Sequence, residues 1–171
     1  MLYPNACYLN RGNHEEPNIN SYYGFENEVV KKCGAHFFDL FQEVFACLPI
    51  AAVIQDHFFV CHAGLPRYDS ITIQLLQCLP HVLELPMEPK EGEFETVILV
   101  DLLWADPRHA NGRGRGPRGA SCIEFGPDVT SQFLQENKLK CFIRSHQLPR
   151  SPKGFEVLHN EQLWTVFSAS N

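Results

Sequence analysis

No apolar run in this 171-residue chain approaches the roughly 20 residues needed to cross a bilayer, and its first residues lack the charged and apolar regions of a secretory signal. No membrane partner is expected. Positive charge is also scarce: 14 Lys and Arg stand against 20 Asp and Glu, a net charge of −6. Phosphate backbones recruit clustered positive charge, so no nucleic-acid partner is expected either. The seven cysteines are odd in number and contain no C-x-x-C pair. That excludes a zinc ribbon and reads as scattered buried thiols in a reducing compartment, cytoplasmic or nuclear. Internal repeats are missing too. What remains has the length of one domain, enough to bury roughly 70% of the surface that its unfolded form exposes.

Helix and strand patterns alternate along the chain. Ile19, Tyr22, Tyr23, Phe25, Val29 and Val30 repeat at helical spacing over 17–33 with a break near Gly24, and 37–48 continues that period until Pro49 stops it. Residues 50–54 and 57–62 are short β-rich runs around Gln55 and Asp56, a hairpin that delivers His62 to a strand end. From 65 to 95 the chain reads as an irregular connection around one helix at 71–79. A strand at 121–125, a helix at 128–137 capped by Asp128, a strand at 141–144 and a hairpin through 155–158 and 163–167 are expected to follow.

The densest chemistry lies in Leu9-Asn10-Arg11-Gly12-Asn13-His14-Glu15. Strand-like residues 6–9 run into a glycine bend, which would present Asn13 and His14 at a strand's C-terminal end, where α/β folds place ligand groups. An Asn carbonyl oxygen can hold a divalent cation while its NH2 donates to a substrate oxygen. The neighbouring His could protonate a leaving group. His62 and His146 follow the apolar runs FFVC and CFIR, so both imidazoles would point from strand ends toward one crevice, and imidazole nitrogen suits Mn, Fe or Zn. His36, His57, His81, His109 and His159 lack such context. In the run Gly112-Arg113-Gly114-Arg115-Gly116-Pro117-Arg118-Gly119, a guanidinium could fork onto two phosphate oxygens. The run is too short, and too closely flanked by structured elements, for an RNA-binding tail.

Four separated segments occur in order: LNRGNHE (9–15), CHAGL (61–65), DLLWADP with RGASCIEFG (101–107 and 118–126), and FIRSHQ with TVFSASN (142–147 and 165–171). They resemble the PPP family of metal-dependent protein serine/threonine phosphatases. YGFENEV (23–29), FGPDVT (125–130) and FSASN (167–171) bring the likeness nearest to the branches with tetratricopeptide or EF-hand extensions. It spans nearly the whole chain and is poorest between about 66 and 100.

The resemblance implies an α/β, calcineurin-like metallophosphoesterase fold, two mixed β-sheets stacked between helices and incomplete at both ends, with 1–171 a partial PPP-type catalytic domain. It implies hydrolysis of phosphoserine and phosphothreonine in one step by metal-activated water. Asn13, His62 and His146 would hold one ion of a divalent pair (Mn, Fe or Zn), His14 would be the general acid, and Asn13 and Arg118 would bind the phosphoryl group. The partners would be phosphoprotein substrates and a regulatory domain or subunit. The family's Asp-x-His motif, a second Asp-bearing motif and a closing tyrosine lie outside 1–171. The chain alone is therefore expected to supply ligands mainly for one ion, to be inactive, and to leave 163–167 as an unpaired edge. His62-Ala63-Gly64-Leu65 departs from the His-Gly-Gly form, and 66–100 lacks the family's arginine-bearing helix. An inactive fragment or pseudophosphatase that binds phosphoproteins or a partner is the alternative. A nucleotide-directed metallophosphoesterase is a third reading, which the Arg118 loop and FSASN disfavour.

Overall fold

The computed structural model describes residues 6–82, 84–86, 88–90 and 92–168. Helices α1 (Pro17–Tyr22), α2 (Phe25–Cys33) and α3 (Ala35–Ala46) come first, then strands β1 (Ala51–Ile54) and β2 (Phe58–Cys61). Helices α4 (Ile73–Gln77) and α5 (Phe94–Trp104) lead into β3 (Asp106–Pro107), β4 (Arg113–Arg115) and β5 (Ile123–Phe125). Helix α6 (Pro127–Glu136) precedes β6 (Cys141–Arg144), β7 (Phe155–Leu158) and β8 (Leu163–Val166). The strands form two mixed sheets, ordered β1-β2-β6-β8-β7 and β3-β5-β4.

Local chemistry explains most boundaries. Gly24 and Gly34 take φ of 91° and 100°, a left-handed region open to glycine, and separate the first three helices. Thr72 caps α4 by accepting the Leu75 N–H at 3.1 Å, and Pro80 follows soon after. In β2, β6 and β8 burial alternates with period two, so Phe59, Phe142 and Leu163 share the inner face. They pack with Ile98 and Leu102 of α5, Phe125 of β5, and Phe133 and Leu134 of α6 in one core. Because β2 and β6 run parallel, with Phe59 opposite Phe142, their C-terminal ends emerge side by side. That is the place expected for the two histidines.

The structure departs from the sequence reading at several points. Residues 94–104 form a helix that the sequence pattern conceals: Val97 to Leu103 are all buried, so α5 has no polar face and no 3.6-residue alternation to detect. Residues 6–9 form no strand, and Tyr8 and Leu9 are exposed: among the described residues neither sheet runs a strand alongside them. Asp128 does not cap α6; the helix starts one residue earlier behind Gly126, and the Asp128 carboxylate instead accepts the Gly112 N–H at 2.7 and 2.9 Å. Residues 113–115, within the glycine-arginine run, form a strand that pairs antiparallel with β5. Finally, β8 is no edge: it lies between β6 and β7, since the β7–β8 hairpin folds back beside it. All seven cysteines are free thiols, but only Cys61 and Cys122 are buried as expected; Cys7, Cys33, Cys47 and Cys78 are exposed. Expectations that fall on residues 1–5 and 169–171 lie outside the described residues.

Candidate active site

Asn13 sits in a single 3-10 turn, Asn13–Glu15, held on both sides. The Glu15 carboxylate accepts the Gly12 N–H at 2.7 Å, and the buried Arg11 guanidinium donates to the Glu15 and Val82 carbonyls. A Cβ at position 12 would lie 2.7 Å from Glu15 Oε2 and 3.0 Å from His62 Nδ1, so a larger residue there would displace the Glu15 carboxylate and crowd the His62 ring. The bend thus presses the Asn13 loop against the loop after β2. The Ser145 N–H donates to the His62 carbonyl at 3.0 Å and joins the loops after β2 and β6.

Three predicted ligands meet there. His62 Nε2 lies 2.7 Å from Asn13 Oδ1 and 3.0 Å from His146 Nδ1, and the two rings cross nearly edge to face at 4.8 Å. His146 reaches this position from a left-handed backbone, φ 64°, with the edge of Trp104 behind it. Burial holds both rings neutral: it is the main cause that drives His62 down to about 4, helped by Arg144, and His146 down to about 2, helped by His62. One amide oxygen and two neutral imidazole nitrogens form a donor set that fits a divalent transition ion. Among the described residues no group of three or more His, Cys, Asp or Glu side chains could hold a metal, so the third donor of this set is the Asn13 amide oxygen.

His14, next in the chain, is exposed, with its ring 4.8 Å from that of Tyr23. Arg118 donates from Nε to Asp106 Oδ2 at 2.6 Å, which leaves its two terminal nitrogens without a protein partner among the described residues. A guanidinium held by its Nε presents a two-pronged fork. The other Asp106 oxygen accepts from Arg144 Nη2 at 2.9 Å, and burial draws the Arg144 guanidinium down to about 10 against the pull of Asp106. Sequence reasoning missed Asp106 and Arg144. A signal existed: Arg144 occupies an inward position of CFIR, two after Phe142, where a charge is out of place without a partner.

Other charged residues resolve as scaffold. Arg113 donates to Asp69 at 2.8 Å and to the Tyr68 and Pro66 carbonyls. Arg67, the arginine present in the 66–100 stretch, lies in a loop and grips Asp101 of α5 at 2.7–2.9 Å. Cys61 and Arg67 have the C-x5-R spacing of a cysteine phosphatase loop, but Cys61 is buried with its thiol pushed up to about 12, so no thiolate is available there. His159 is buried between Thr130 Oγ1 at 2.7 Å and the Arg108 carbonyl at 3.0 Å.

Burial also lowers His159, so with His62 and His146 the folded chain holds three imidazoles that resist protonation. The unfolded chain binds those protons near the ordinary value of 6.5. The stability that these neutral imidazoles contribute to the metal-free chain is therefore complete above about 6.5 and is lost as pH falls, through about 4 for His62 and toward about 2 for His146. Urea midpoints at pH 7.5 and 5.0 measure this, and an equal or higher midpoint at pH 5.0 would contradict it.

The family model for calcineurin-like phosphoesterases matches residues 1–150. The chain belongs to the calcineurin-like phosphoesterase family. Within it, the chain is 42% identical over all 171 residues to serine/threonine-protein phosphatase T of Trypanosoma brucei and to human serine/threonine-protein phosphatase 5, of which it spans 34% and 32%. A solved serine/threonine phosphatase from Saccharomyces cerevisiae, described as similar to human PP5, superposes with a TM-score of 0.87 at 39% identity over 98% of this chain and 49% of its own. The chain thus spans about a third of the length of the curated relatives it matches.

Proposed function

We propose that residues 1–171 are a partial catalytic domain of a metal-dependent protein serine/threonine phosphatase. The observation that carries this reading is the convergence of Asn13 Oδ1 and His146 Nδ1 on His62 Nε2, at 2.7 and 3.0 Å. When bound, divalent ions supply the Lewis acidity that polarises a phosphoryl oxygen and makes water a nucleophile at neutral pH. Asn13, His62 and His146 would hold one such ion, Mn, Fe or Zn. The Arg118 fork, aimed by Asp106, gathers two phosphoryl oxygens and keeps its own proton. The Asn13 NH2 can donate to a third. His14 gives its proton to the departing seryl or threonyl oxygen, which leaves poorly as an alkoxide. Phosphoproteins are the substrates, with a regulatory domain or subunit as partner, and the seven free thiols favour the cytoplasm or nucleus.

With three ligands gathered, the 171-residue chain is expected to bind one Mn or Zn ion weakly. His62→Ala and His146→Ala should each lower that affinity in calorimetric titration. Two tightly held ions per chain, or unchanged binding in both variants, would contradict the ligand assignment. Phosphate release from a phosphoseryl peptide tests the function. A chain extended to the length of the yeast relative should turn over, whereas 1–171 alone should stay below enzyme-like rates of about 1 s⁻¹.

A further inference from the structure

The Arg144 side chain is fully buried, yet the proposed chemistry makes no use of it. Its guanidinium reaches three places. Nη2 donates to Asp106 Oδ1 at 2.9 Å, Nη1 to Gln147 Oε1 at 2.8 Å, and Nε to the Ala63 carbonyl. Ala63 follows His62 and Gln147 follows His146, so one side chain ties both histidine loops to a single carboxylate.

Asp106 in turn faces two groups of the site. Its Oδ2 accepts from Arg118 Nε at 2.6 Å. Its Oδ1 lies 3.9 Å from His146 Nε2, a buried nitrogen with no hydrogen-bond partner among the described residues. The opposite ring nitrogen, His146 Nδ1, is the one that faces His62. A neutral imidazole has one proton to place. On Nδ1, that proton would leave the Nε2 lone pair facing a carboxylate and would occupy the atom turned toward the site. On Nε2, it points at negative charge and leaves the Nδ1 lone pair free. Carboxylates behind ligating histidines act in this way, fixing the tautomer through the nitrogen that does not ligate.

We propose that Arg144 is a positioning residue: by holding Asp106 in place it selects the Nε2–H tautomer of His146 and sets the direction of the Arg118 fork. The phosphate-facing half of this role rests on the phosphatase reading; the tautomer does not. Lysine would not serve, because three acceptors in different directions need the planar guanidinium, and an ammonium is a compact point charge.

The test is ¹⁵N-histidine NMR of the 171-residue chain at pH 7.5, with Mn²⁺ titration calorimetry and far-ultraviolet circular dichroism alongside. The wild-type chain should show His146 protonated on Nε2 alone. Arg144→Lys, folded by circular dichroism, should show mixed tautomers and bind Mn²⁺ about 10–100-fold more weakly. Arg118→Lys should keep the wild-type tautomer. A merely structural Arg144 would lower the melting temperature and move neither readout. If Arg144→Lys does not fold, Asp106→Asn decides the matter, since it keeps the shape but removes the charge, and the same loss is expected. A wild-type Nδ1–H tautomer would overturn the proposal, as would either folded variant with unchanged tautomer and affinity. A wild-type chain that binds no Mn²⁺ would count against the metal reading and leave the tautomer result to judge Arg144.

Discussion

Replacing His14 with Asn, in a chain extended to the length of its solved yeast relative, is expected to lower turnover on a phosphoseryl peptide by roughly 10²–10⁴-fold. The loss should fall on kcat more than on KM, because a proton donated at the leaving oxygen stabilises the transition state and not the bound substrate. Metal content should not change: the donor atoms lie on Asn13, His62 and His146, while His14 is the exposed neighbour outside that cluster. Para-nitrophenyl phosphate provides the control. Its leaving group is stable as an anion and barely needs the proton, so its turnover should drop much less. Equal losses on both substrates would remove His14 from the acid role.

Asp106→Ala should destabilise the fold by about 3–5 kcal/mol, the usual cost of stranding a buried charge. Asp106 holds two arginines, and one of them, Arg144, is completely buried and remains cationic at neutral pH even though burial lowers it to about 10. With Asp106 gone, that cation faces only a carbonyl and an amide oxygen. Urea denaturation of the single variant measures the loss. The double variant Asp106→Ala with Arg144→Met should recover a large part of it, because removing both charges also removes the desolvation problem. A single-variant loss under about 1 kcal/mol would mean that solvent reaches the pair and that its burial is not energetically meaningful.

The candidate ligands were legible because each stands beside a strong local signal. Gly12 marks a bend ahead of Asn13, and the apolar runs before His62 and His146 read as short buried strands that end in a polar residue. Helices α1 to α4 and α6 and both hairpins were legible for the same reason, since an amphipathic period or a turn residue marks each of them. Helix α5 was not. Its seven consecutive buried residues show no face, and only the surrounding elements, which cover it on every side, make it a helix rather than a strand.

By itself, then, the sequence determined the strand and helix periods, the bend at Gly12 and the donor-bearing side chains at 13, 62 and 146 that are the candidate ligands. These are encoded within a few residues of chain, where side-chain sterics and turn propensity act. Tertiary structure alone decided the rest. The parallel neighbours β2 and β6 bring residues 84 positions apart to within 3.0 Å, and the β7–β8 hairpin covers what would otherwise be an edge. Asp106 becomes the link between Arg118 and Arg144 only because the small sheet packs against the end of β6. A charge in an apolar stretch announces that a partner must exist, since burying it alone is prohibitive. Which partner it finds is a property of the packing.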